Sequence, residues 1–113
     1  MPKPLSPSVL HIMLALADGA RHGYSIKQEV ESRTDGAVRL GPGTLYEAIQ
    51  RLEDGGLIEE TDGATDAVNG QEAQRRYYRL TARGWTTLSN ELRALGQLVD
   101  IARENPRLRK GLA

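Results

Sequence analysis

The residues best suited to chemistry in this chain lie between Gly41 and Glu60, GPGTLYEAIQRLEDGGLIEE. At helical spacing, Gly43, Thr44, Glu47, Gln50 and Arg51 fall on one side. That side carries a hydroxyl, a carboxylate, an amide and a guanidinium. Such groups reach base edges and phosphates when a helix lies in the major groove of DNA. Downstream, Arg75, Arg76, Arg79 and Arg83 form a cluster with no intervening acid. A local basic surface of this kind displaces counterions from a phosphate backbone.

Other chemistries find little support. With no cysteine, disulfides, thiolate metal sites and cysteine nucleophiles are excluded, and an intracellular, cytoplasmic setting is the default. His11 and His22 each lack a second ligand at metal-binding spacing, so no metal is expected. No nucleophile elbow or paired-carboxylate arrangement appears, so enzyme activity is not expected, nor any cofactor. Gly41-Pro42-Gly43 lacks the downstream Lys-Ser/Thr of a phosphate-binding loop and reads more simply as the start of a helix.

The elements that must position the outward row follow from periodicity. Leu45, Ala48, Ile49 and Leu52 recur at i, i+3, i+4 and i+7 and form the face to be buried. Pro42 suits the first helical position, and Gly55-Gly56 supplies a left-handed stop before a strand. On this stretch alone, any amphipathic surface helix would look the same. Upstream, Leu5 to Ala17 reads as a first helix capped by Ser6, with Leu5, Val9, Ile12, Met13 and Leu16 in one stripe. Its apolar run Val9 to Ala17 is too short to span a bilayer, so no membrane association is expected. After a connection at Asp18 to Arg21, His22 to Thr34 reads as a second helix, with Tyr24, Ile26 and Val30 partly buried. Helices this close in tandem suit a helix-turn-helix.

Two short strands are expected at Leu57 to Asp62 and Arg75 to Leu80, joined by a long hairpin tip with Asn69-Gly70 near its middle. Alternation puts Arg76, Tyr78 and Leu80 on one face of the second strand and Arg75, Tyr77 and Arg79 on the other. The tip holds Asp62, Asp66 and Glu72 but no Lys or Arg, so the strand bases rather than the tip are expected to meet DNA. The result is mostly α with a small antiparallel β-hairpin, a winged helix-turn-helix.

From Thr81 to Glu104 the chain reads as one long helix ended by Asn105-Pro106. Trp85, Leu88, Leu92, Leu95, Val99 and Ala102 are spaced as a heptad seam, widened by Leu98 and Ile101. A second copy of the same helix is the simplest cover, so a homodimer is expected. Trp85, with Leu88, could also stack on an aromatic ligand, although large aromatics at heptad spacing usually pack. The tail from Pro106 reads as frayed or as one further turn. Domain organisation is thus 1–80 for the winged helix and 81–113 for the dimerisation helix and tail.

The 113 residues supply one modest core, and 39% hydrophobic with 27% charged residues is the balance of a folded, soluble protein. Fifteen basic and fifteen acidic residues cancel. That balance is unlike most nucleic-acid binders, and DNA binding then requires the charges to be segregated in space.

The segments HGYSI at 22–26, PGTLYEAIQRLEDGGLIE at 42–59 and RRYYRLTARG at 75–84, with the helix that follows, closely resemble the PadR family of bacterial transcriptional regulators, in its short-chain branch. The resemblance implies a winged-helix DNA-binding domain, a C-terminal dimerisation helix and repression of nearby genes, relieved in many members by a small apolar or aromatic effector. It also implies operator contacts at Thr44 and Tyr46, and it marks Tyr77, Tyr78 and Arg79 as the second wing strand. Gly41 departs from the pattern, standing where a capping Ser is common. The expected mechanism is a homodimer placing two recognition helices about 34 Å apart in successive major grooves of double-stranded DNA. Thr44, Glu47 and Gln50 would read bases, while Tyr46, Arg51, Arg75, Arg76 and Arg79 would hold phosphates, with Tyr77 beside them. The alternative is a winged-helix module that binds another protein, which the neutral net charge suits.

Overall fold

Ser6 starts the first helix as its sequence position suggests: its Oγ accepts the Val9 N–H at 3.3 Å, and Pro7 occupies the first turn. A computed structural model of the chain describes residues 5–62 and 76–112. In it, α1 runs Pro7–Leu16 and buries Ile12, Met13, Ala15 and Leu16. The next two helices are α2, Gly23–Arg33, and α3, Pro42–Asp54.

Between α1 and α2 lies a short strand the sequence reading missed, β1 at Arg21–His22. It pairs antiparallel with β3, Tyr77–Leu80, which pairs on its other side with β2, Ile58–Thr61. The sheet therefore has three strands in the order β1-β3-β2 rather than the two of a simple hairpin. A strand of two residues is too short to show alternation, which is why periodicity could not reveal it. The Asn69-Gly70 tip, with Asp66 and Glu72, lies outside the described residues, as does Arg75.

His22 ends β1 and caps α2, its Nδ1 accepting the Ser25 N–H at 3.1 Å. Of the three α2 residues expected to be partly buried, Ile26 and Val30 are fully enclosed. Tyr24 is exposed, because two residues along a helix is over half a turn and places it away from Ile26. The α2–α3 connection is fastened by Thr34, whose Oγ1 donates to Val30 O at 2.8 Å and accepts the Val38 N–H at 3.1 Å. Arg33 pairs with Glu29 and with Asp18 beyond α1, and these carboxylates raise its already high pKa.

Gly41 precedes α3 without a side-chain cap, as its missing side chain requires. At the other end Gly56 is left-handed, with φ +72°, and the Leu57 N–H donates back to Leu52 O at 2.9 Å. That is the glycine-dependent stop expected there. The face Leu45, Ala48, Ile49 and Leu52 is buried as the spacing predicts. These residues join Ile12, Met13, Leu16, Ile26, Val30, Leu40, Ile58, Tyr78 and Leu80 in a single core.

Helix α4, Ala82–Ala102, begins at Thr81, whose Oγ1 accepts the Gly84 N–H at 3.0 Å and donates to Gly56 O at 2.6 Å. Its first turns lie on the domain, and Leu88 is part of the core. The remainder leaves Leu92, Leu95, Leu98, Val99 and Ile101 exposed. Asn105 then caps a short α5, Pro106–Gly111, so the tail forms the further turn rather than fraying. Among the described residues, no helix is long and apolar enough to cross a membrane.

Candidate nucleic-acid interface

Burying the apolar stripe of α3 fixes what the helix shows to solvent. Gly43, Thr44, Tyr46, Glu47, Gln50 and Arg51 are all exposed. The row is contiguous and made of hydrogen-bonding groups, which is the arrangement a helix needs to address base edges and phosphates together. In the free protein these side chains are already engaged with one another. Arg51 Nη2 donates to Glu47 Oε1 at 2.8 Å, and Gln50 Nε2 donates to Asp54 Oδ1 at 3.0 Å.

Tyr46 leans back toward α2. A β-carbon on Gly23 would lie 3.3 Å from both Cε1 and Oη of its ring. Gly23 therefore leaves the space in which the Tyr46 ring rests, although the ring stays 58% exposed. Nothing in the helical periodicity of either element discloses this contact.

On the wing, Arg76 and Arg79 are exposed, and each meets a carboxylate of β2. Arg79 Nε lies 2.8 Å from Glu59 Oε1, and Arg76 Nε lies 3.3 Å from Glu60 Oε1. The strand register explains the first pair, since Glu59 and Arg79 are direct cross-strand partners. Glu59 and Glu60 had not been singled out in the sequence. The pairing depends on a register, Glu59 with Arg79, that neither the expected strand ends nor the Asn69-Gly70 turn specifies.

Tyr77 requires a correction. It was expected on the open face with Arg79, but its ring is buried, edge-on to His22 with centroids 5.4 Å apart. The short β1 sets His22 beside Tyr77 as its cross-strand partner, and the two rings pack together on that face. Tyr77 is thus a packing residue of the wing rather than a surface for DNA. Tyr78 is buried on the opposite face, and removal from water, with Glu53 and Glu60 nearby, raises its phenol pKa.

The expected C-terminal seam also needs revision at one position. Leu88 is 3% exposed and packs in its own domain, so it is not available to a partner helix or to a ligand stacked on Trp85. Trp85 is 48% exposed. Leu92, Leu95 and Val99 remain open to solvent, and Ala102 is half-buried. A cavity of about 310 Å³ does exist, but it lies beside β1 and is lined by Asp18, Arg21, His22, Ser25 and Tyr77 among others, away from Trp85. Among the described residues, no group of His, Asp or Glu is arranged to hold a metal.

Three helices, the second and third in tandem, followed by a flap of antiparallel strands, define a winged helix-turn-helix. Residues 9–90 match the PadR-like family of transcriptional regulators, and the chain belongs to that family. Its members are regulators rather than enzymes. It is 36% identical to the transcriptional regulator Rv3488 of Mycobacterium tuberculosis over 89 residues, covering 79% of this chain and 76% of that one. Solved structures share the fold. A PadR family transcription regulator from Clostridium difficile superposes with a TM-score of 0.71 at 22% identity, over 88% of this chain and 97% of that one. The Bacillus subtilis PadR structure, solved in complex with operator DNA, superposes with a TM-score of 0.62 at 21% identity, over 74% of this chain and 45% of that one.

Proposed function

We propose that this regulator binds double-stranded DNA as a homodimer, with α3 of each protomer in the major groove of one half of a pseudo-palindromic site. The observation that carries this reading is the outward row of α3, a contiguous exposed set of hydrogen-bonding side chains on a helix whose other face is locked into the core. The operator complex of the similar Bacillus subtilis protein supports it. In this reading Thr44, Glu47 and Gln50 address bases. Tyr46, Arg51, Arg75, Arg76 and Arg79 hold phosphates and set the register of the helix. Residues 1–80 bind DNA, and 81–113 pair the protomers through Trp85, Leu92, Leu95, Val99 and Ala102. The protein acts in the cytoplasm as a repressor of nearby genes. A small apolar ligand against the exposed side of Trp85 would change the angle between the two domains and release the DNA.

A mobility-shift titration with the DNA upstream of its own gene tests the central step. A sequence-specific, salt-sensitive shift is expected. Arg79→Ala should weaken binding to every sequence and flatten the salt dependence, because one phosphate contact is lost. Gln50→Ala should instead alter the preference among base substitutions in the site. Absence of any shift at low salt would reject the reading. Constant Trp85 fluorescence across apolar and phenolic ligands would remove the effector step alone.

A further inference from the structure

The described interface offers three arginines, Arg51, Arg76 and Arg79, and each is within ion-pair distance of a carboxylate of the same surface. On α3 the partner comes from i,i+4 spacing. On the wing it comes from β2: Glu59 pairs with Arg79 of β3, and Glu60, on the other face of the strand, pairs with Arg76 just before β3. This local pairing mirrors the exact balance of charge in the whole chain.

Resting on the DNA-binding reading, we propose that Glu59 and Glu60 are affinity-setting residues of the wing, which hold down the affinity for DNA of any sequence by occupying the two wing arginines. A phosphate that approaches Arg79 or Arg76 must displace a carboxylate, and the displaced carboxylate stays near the phosphate and repels it. That penalty is the same for every sequence. Contacts to bases made by α3 are untouched by it, so affinity falls equally for the specific site and for random DNA, and the ratio between them is unchanged. Arg79 remains aimed while it waits, since a cross-strand partner limits its rotamers. Both pairs are well exposed, with side chains between 48% and 75% accessible, so each carboxylate has a modest effect.

The test uses Glu59→Gln, Glu60→Gln and the double variant. Glutamine preserves the shape and a carbonyl that accepts from the guanidinium, but removes the charge. Glu104→Gln, exposed beyond the end of α4, makes the same change in net charge as either single variant, far along the chain from the wing. Affinity for a random-sequence duplex and for the DNA upstream of the gene is measured across a salt series, with thermal melts to establish folding. The double variant is expected to bind both the random duplex and the upstream DNA roughly tenfold tighter, about threefold per carboxylate, with a steeper salt dependence and an unchanged ratio between the two affinities. Glu104→Gln should change none of these. An unaltered random affinity in the folded double variant, alongside a wild-type protein that does shift DNA, would overturn the proposal and leave the DNA reading standing. An equal gain from Glu104→Gln would overturn it as well, by assigning the effect to net charge. If no protein shifts any duplex, both fall together.

Discussion

Tyr46 and Gly23 show how a residue with no side chain can control one at the surface. Helix α2 starts at Gly23, where an alanine would restrict the unfolded chain without disturbing the helix interior. Its methyl would also press on the Tyr46 ring at 3.3 Å, and the ring, being largely exposed, can turn away. Gly23→Ala is therefore expected to keep or raise the melting temperature while weakening DNA binding. In a Tyr46→Ala background the same change should have no further effect on affinity. Melting curves and binding titrations on the four proteins would check this, and equal losses in both backgrounds would show that Gly23 acts elsewhere. Tyr78 gives a prediction of different kind. Its pKa is raised in the folded protein, so on raising the pH the unfolded chain loses this proton first. Its contribution is therefore full below about pH 10 and declines as the pH rises past that value. Between pH 9 and 11, Tyr78→Phe should lose less stability than the wild type in urea titrations, and parallel curves would refute the assignment. At this scale the sequence disclosed the buried stripe of α3 residue by residue, because amphipathic spacing is a one-dimensional signal. The opposite fates of Tyr77 and Arg79, two residues apart on one strand, depend on a third strand that such a signal does not contain.

At the scale of elements, the junction of wing and α4 is closely packed around the Leu57 carbonyl. Thr81 N–H donates to Leu57 O at 3.1 Å, and Gly84 passes over the same carbonyl. A β-carbon on Gly84 would lie 2.0 Å from Leu57 O, and the obstacle is backbone with no rotamer to yield. Gly84→Ala must lift α4 off the β2 end of the sheet. A loss of about 3 kcal/mol, the upper part of the usual overpacking range, is expected in urea unfolding. A loss under about 1 kcal/mol would mean that the helix tilts freely. The starts of α1, α3 and α4 were legible because Ser6-Pro7, Pro42 and Thr81 announce themselves locally. The closeness of Gly84 to Leu57 joins positions far apart in the chain and leaves no local mark beyond the glycine itself.

The whole molecule is longer than its residue count requires. A globular chain of this length has a radius of gyration of about 13 Å, whereas this one has 16.3 Å and spans 57 Å along its long axis. The excess belongs to the outer turns of α4 and to α5, which carry Leu92, Leu95, Leu98, Ile101, Leu108 and Leu112 exposed. Heptad spacing identified this helix as amphipathic, but it also enrolled Leu88, since spacing cannot tell which turns face the domain and which lie beyond it. That boundary sets the design of the decisive variant. Leu98 and Ile101 are 61% and 65% exposed in the single chain, so replacing both with glutamate removes almost nothing from the fold of one protomer. If α4 pairs with its copy, the same change buries charge in the seam. Leu98→Glu with Ile101→Glu should then sediment as a folded monomer where the wild type sediments as a dimer, and its melting temperature should lose any dependence on protein concentration. Each protomer would still present α3, but the two half-sites would no longer be bound as one. Affinity for the full site should fall on the order of 100-fold while affinity for an isolated half-site stays the same. A wild-type protein that sediments as a monomer at tens of micromolar, yet binds the full site with the same affinity as the variant, would instead place recognition in a single winged domain.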